Sequence, residues 1–156
     1  MKVDKKTVED SMAESVYSVL PADTNIYGNL FGGKLVEWID SIGALVGHRH
    51  SRKNVVTANI DNLSFLEPIR LGDSVILNAW INYVGTTSME VQVDTHREKK
   101  DDCLRVLACT AFLTYVAIDE DGRPTPVPEL ILKTEEQKKR FREAQQRKET
   151  RLQKKV

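Results

Sequence analysis

The sequence predicts an α+β fold, one long central helix wrapped by a largely antiparallel sheet of about five strands, and three observations predict it. One segment, residues 34–49, carries an apolar stripe at helical spacing that is wide enough to be enclosed. Five segments read as strands, and four of them follow that helix in succession with no helical pattern between them. The breaks between those four are short turns or charged stretches of the kind that join antiparallel neighbours. With 156 residues, 40% of them hydrophobic, the chain can close one core and is too short for two ordinary domains.

In chain order, residues 11–20 mix small and β-favouring side chains and stop at Pro21, which predicts the first strand. Residues 21–33 hold three glycines, one proline and two asparagines, too many backbone-permissive residues for a regular element, and read as a loop. In the helix, Leu35, Ile39, Ile42, Leu45 and Val46 recur at three- and four-residue spacings, and Val36, Trp38 and Ala44 widen the stripe. The later strands are predicted over 55–64, 74–84, 88–96 and 104–118. Glu67-Pro68 with Leu71-Gly72-Asp73, then Gly85-Thr86-Thr87, then the charged stretch 97–102 separate them. After a turn at 119–123, prolines 124, 126 and 128 oppose further regular pairing. Residues 134–155 are nearly all charged or Gln, with Thr134 and Gln137 spaced as a capping box. Phe141, Ala144 and Leu152 are too few for a packed stripe, so the expectation is a solvated terminal helix. The division is a domain over 1–125 and a Pro-containing linker with a charged helical tail over 126–156.

Lys and Arg number 23, and Asp and Glu also 23, so no net field draws the chain to nucleic acid or to an anionic membrane. No apolar run of signal or membrane-spanning length occurs, and a cytoplasmic location is expected. Cys103 and Cys109 lie outside any CxxC or Cys/His grouping, which predicts reduced thiols, Cys109 buried and Cys103 near a loop. His48 and His50 are two apart with His96 distant, a spacing without a third ligand, so no metal is expected.

The chemistry concentrates where the Gly-rich segment 23–33 runs into the helix. The first N–H groups of a helix lack internal partners and carry partial positive charge, and glycines let a ligand approach them. Such an end binds a phosphate or stabilises the oxyanion of an attacked carbonyl. Asp40 lies inside the helix among Trp38, Ile39, Ile42 and Leu45, where a carboxylate is costly to bury. Its functional reading is a general base or a nucleophile. Gly33 and Asp40 are seven residues apart, so roughly 10 Å separates them along the helix axis. One carbonyl can hardly touch both, so if both act on it, one of them must come from a second subunit.

The run from Asn25 to Ala44, with Asn29, Gly32, Gly33, Asp40 and Gly43 in place, resembles the signature of the hotdog-fold acyl-CoA thioester hydrolases, the YciA-type and brain-type enzymes. The similarity continues through Val55-Val56-Thr57, residues 65–69 and Leu71-Gly72-Asp73, and covers about residues 11–125. It implies a curved sheet around the helix, subunits paired into a double hotdog, and dimers often joined as a trimer of dimers, a hexamer. It further implies hydrolysis of acyl-CoA to free acid and CoA with no cofactor beyond the CoA of the substrate. Asp40 is then the catalytic carboxylate and Asn29 helps place thioester and water. The Gly32 and Gly33 backbone of the opposite subunit is the oxyanion donor. CoA phosphates call for a basic patch, for which Arg49, His50, Ser51, Arg52 and Lys53 are the first candidates and Lys99-Lys100 the second. The resemblance also places Thr57, Asn59, Gly85, Thr86 and Ser88 beside CoA. Tunnel depth is expected to depend on Trp38, Leu63 and Phe65. A hotdog hydratase or dehydratase requires a His that the loop before the helix lacks, and a non-catalytic acyl-CoA sensor requires an output module of which the tail shows no pattern.

Overall fold

The computed structural model describes residues 4–154. In chain order the elements are β1 (Lys5–Thr7), β2 (Ala13–Ser18), a 3-10 turn at Pro21–Asp23, α1 (Gly32–Ser51), β3 (Asn54–Phe65), β4 (Ser74–Val84), β5 (Ser88–Glu98), β6 (Arg105–Ile118), β7 (Glu129–Ile131) and α2 (Glu135–Gln153). Five strands form one antiparallel sheet in the order β2-β4-β5-β6-β3, and α1 packs against its inner face. The expected helix and five strands are all present. What the sequence reading said of residues 1–3 and 155–156 lies outside the described residues.

Alternation along the strands decides which face meets α1. Val75, Leu77 and Ile81 of β4, Val91 and Val93 of β5, and Leu113 and Tyr115 of β6 are fully buried with Ile39 and Val46 of α1. Each such aliphatic side chain contributes about 1.5–3 kcal/mol by leaving water. Helix α1 starts two residues earlier than the stripe predicts, because glycines 32 and 33 already follow helical geometry. It ends where Arg52 turns left-handed (φ 56°) and donates its N–H to His48 O at 2.7 Å. Cys103 is exposed and Cys109 buried, both as free thiols.

Two features differ from expectation. Strand β1 pairs in parallel with β7, directly after the three prolines. Three-residue strands carry no readable period, and the prolines stop one residue short of the pairing. The terminal helix α2 is packed rather than solvated. It starts as the capping pattern predicts, Thr134 Oγ1 accepting from Gln137 N–H at 3.1 Å, and then crosses the outer face of the sheet. Phe141 meets Tyr83 at 4.8 Å between centroids, Arg140 lies over Trp80, and Ala144 is buried. Arg147 sits over Phe112 and binds the buried Glu90 at 2.6 Å, while Arg151 reaches Asp61 of β3 at 2.6 Å.

Candidate active site

The loop before α1 is organised by Asn25. Its Oδ1 accepts from the N–H of Tyr27 at 3.0 Å and of Asn29 at 3.2 Å, an Asx-type turn, and its own N–H donates to Asn29 O at 2.8 Å. Leu30 N–H to Ile69 O (2.6 Å) and Phe31 N–H to Asp23 O (2.8 Å) hold the end of the loop against the helix start. No side chain caps α1 at Phe31, and internal bonding begins only with Lys34 N–H to Phe31 O at 3.0 Å. The N–H groups of Gly32 and Gly33 thus precede the first intrahelical bond. A Cβ at Gly33 would lie 2.6 Å from Cε1 of Phe31, whose exposed ring folds back over the helix end.

Asn25, Asn29 and Gly32 line a cleft of about 350 Å³ whose other walls include Leu35, Phe65 and Leu66. The Phe65 ring, 55% exposed, stands 3.5 Å from where a Cβ on Gly32 would be, so it roofs the helix N-terminus. Leu63 is half-buried against the core, and Trp38 is committed elsewhere, stacked on Tyr17 at 4.2 Å.

Asp40 lies two turns further along α1, half-buried, at the end of the sheet order where β3 pairs only with β6. Register builds its surroundings. Thr57 of β3 and Tyr115 of β6 are direct cross-strand partners on the inner face, and both hydroxyls reach the same carboxylate oxygen. Thr57 Oγ1 donates to Asp40 Oδ1 at 2.8 Å and Tyr115 Oη at 2.9 Å. Among the described residues no donor reaches Oδ2. Thr57, expected beside CoA, is hydrogen-bonded to Asp40. Asn25, which lines the cleft, and Tyr115, which bonds Asp40, are not among the candidates that the sequence singled out. Gly43, a glycine inside a helix, is the one available signal of a close approach there.

The basic run at 48–53 separates into two groups. His50 is fully buried with Nε2 2.8 Å from Pro128 O, and Ser51 is buried and donates to Gly47 O at 2.8 Å, so both serve the interior. Burial pushes the His50 pKa down, only partly opposed by the Pro128 bond. Half-buried Arg49 donates to Met12 O at 2.9 Å. Arg52 and Lys53 are exposed and line a pocket with His48, Asp119, Glu120 and Asp121, so this cluster holds both signs. In the β4–β5 turn, Gly85 N–H donates to Ser88 O at 2.8 Å and Thr86 O accepts from Val127 N–H at 2.9 Å. That turn is one residue from Met89, the partner of Tyr115, and so borders the row that carries Thr57. Asn59 lies beyond a bulge, opposite Thr114, with Nδ2 buried and unpartnered, and is not brought to Asp40.

A family model described as the thioesterase superfamily matches residues 27–104. YkhA, an uncharacterized acyl-CoA thioester hydrolase of Bacillus subtilis, is 44% identical over 129 residues, 83% of this chain and 75% of that protein. The cytosolic acyl coenzyme A thioester hydrolase of Rattus norvegicus is 33% identical over 146 residues, and the chain spans 38% of its length. The fold is similar to an apo-hexameric acyl-CoA thioesterase, with TM-score 0.94, 40% identity and 99% of each chain covered. It is also similar to an acyl-CoA hydrolase from Staphylococcus aureus in complex with butyryl coenzyme A and coenzyme A, with TM-score 0.90, 35% identity and 97% and 92% covered. Alanine variants of that enzyme at an asparagine, an aspartate and a threonine superpose with TM-scores of 0.92, 0.90 and 0.89.

Proposed function

The chain belongs to the thioesterase superfamily and hydrolyses acyl-CoA to free acid and CoA, and we propose that its active site joins Asp40 of one subunit to the loop and helix N-terminus of another. The observation that carries this reading is the Asp40 carboxylate, fixed through Oδ1 at the uncovered edge of the sheet with Oδ2 left open. The altered Asn, Asp and Thr of the Staphylococcus aureus enzyme are spaced fifteen and seventeen residues apart. In this chain Asn25, Asp40 and Thr57 have the same types at the same spacing. That match adds Asn25 to Asn29 as the polar side chains that place thioester and water.

Within one chain the glycine N–H groups and Asp40 lie roughly 10 Å apart along α1, too far to act on one carbonyl carbon. A second copy supplies the missing half. Strand β3 offers an unpaired edge with exposed Val56, Ile60 and Phe65, and Ile26, Tyr27 and Phe31 of the loop are exposed as well. Pairing of two β3 edges places the helix start of one copy beside the Asp40 of the other. Further assembly of such dimers in threes is the reading favoured by the hexameric relatives.

In the reaction, Asp40 takes a proton from water as the water attacks the acyl carbon, or attacks the carbon itself to form an anhydride that water then hydrolyses to the free acid and the regenerated carboxylate. The Gly32 and Gly33 N–H groups of the opposite subunit stabilise the oxyanion, and the CoA thiolate departs. No residue is assigned to a cofactor other than the CoA of the substrate. Arg52, Lys53 and the 85–88 turn remain the candidates for its phosphates, with Arg49 and Asn59 as more peripheral ones and His50 and Ser51 as supports from within. The cytosolic relatives favour a cytoplasmic location, and no described helix is long and apolar enough to cross a membrane.

The test is hydrolysis of acyl-CoAs from acetyl to palmitoyl by wild type and Asp40→Asn, read as released thiol. Wild-type turnover with a loss of more than about 100-fold in the variant supports the assignment. An equally fast variant contradicts it.

A further inference from the structure

Tyr115 is fully buried towards the C-terminal end of β6, yet its hydroxyl is not enclosed by apolar groups. It reaches across to α1, 2.9 Å from Asp40 Oδ1 and 3.0 Å from the Asp40 backbone O. The reach depends on a gap in the helix. A Cβ at Gly43 would collide with the Tyr115 hydroxyl and lie 3.1 Å from two carbons of its ring. Glycine inside a helix costs about 1 kcal/mol relative to alanine, so α1 gives up stability at the one place where the phenol must pass. Burial, reinforced by the neighbouring Asp40 charge, holds the Tyr115 pKa well above the ordinary phenol value. The hydroxyl therefore stays protonated and donates to the carboxylate throughout the working range.

Resting on the reading of Asp40 as the catalytic carboxylate, we propose that Tyr115 is a positioning residue for the hydrolysis, clamping Oδ1 of Asp40 together with Thr57 so that Oδ2 alone faces the acyl carbon, with Gly43 as the opening that admits it. Two donors from directly paired residues on adjacent strands remove rotation about the Cβ–Cγ bond of Asp40. A carboxylate held in this way meets its water in one geometry.

Tyr115→Phe keeps the ring and deletes only the donor. The expected result is a fall in kcat of at least about tenfold, the size of one hydrogen bond to a charged group, with KM and inhibition by CoA unchanged. A merely structural role lowers the melting temperature and leaves kcat of the folded enzyme in place. Gly43→Ala, which keeps the phenol but displaces its hydroxyl, is expected to lower kcat in the same way with KM unchanged. The proposal is overturned if Tyr115→Phe retains wild-type kcat. Asp40→Asn is measured beside them: if it is as fast as wild type, the Asp40 reading itself has failed, whereas a slow Asp40→Asn with an unaltered Tyr115→Phe defeats the clamp alone.

Discussion

At the scale of single residues, the tension is a carboxylate on the inner stripe of a buried helix. Asp40 is tolerated because hydroxyls replace the water it loses, Thr57 at 2.8 Å and Tyr115 at 2.9 Å. Thr57→Val removes one donor at nearly constant volume and is expected to lower kcat about tenfold, while Thr57→Ser retains most of the rate; steady-state kinetics on one acyl-CoA decide this. His50 makes a different prediction. Its pKa is lowered mainly by burial, with Lys6 nearby opposing a further positive charge and Asp10 favouring it. The unfolded chain therefore takes up a proton first as pH falls through about 6.5. Stability is intact above that value and declines below it, so the melting temperature drops between about pH 7 and pH 5.5, and His50→Gln flattens the drop. An identical slope in that variant removes His50 as the cause. At this scale the sequence singled out Asp40 as a candidate, because an acid among apolar neighbours is conspicuous. It concealed the bond from Tyr115, because a tyrosine in an apolar strand resembles ordinary core, and it gave no sign that Thr57 reaches the same carboxylate.

At the scale of elements, α1 and the five sheet strands were legible from hydrophobic period and from the Gly, Pro and charged breaks between them. The docking of α2 was not. Beside Phe141 and Ala144, its contacts are made by arginines, whose guanidinium groups lie over Trp80 and Phe112 and meet Glu90 and Asp61, and hydrophobic periodicity does not register such surfaces. The pairing of β1 with β7 was hidden by its three-residue length. The Arg147–Glu90 pair joins side chains that are 19% and 5% exposed. Arg147→Ala strands a buried carboxylate and is expected to lower unfolding stability by about 3 kcal/mol in a urea titration. Lys139→Ala, on the outward side of the same helix and 61% exposed, should change it by no more than about 0.5 kcal/mol. Equal effects of the two would contradict a docked α2.

At the scale of the whole molecule, the proposed division of the site between two chains rests on helix geometry that was already present in the sequence. The glycines and Asp40 are fixed on one rigid rod, so if both act on one carbonyl they do so across an interface. The interface assigned to β3 predicts that Ile60→Glu, an inward-facing charge on a free edge, blocks self-association. Light scattering should then report a monomer, and the monomer should be inactive. The direct test of the shared site is complementation. Asp40→Asn and Asn25→Ala, each carrying a different affinity tag, are co-expressed, and the species bearing both tags is purified and assayed for acyl-CoA hydrolysis. In a mixed dimer one site has both an intact loop and an intact aspartate, and the other has neither. The expected result is activity restored to about half that of wild type in the doubly tagged dimer, from two parents that are each nearly inactive. A mixed dimer no more active than its parents would mean that each site lies within a single chain, and would contradict catalysis shared between two subunits.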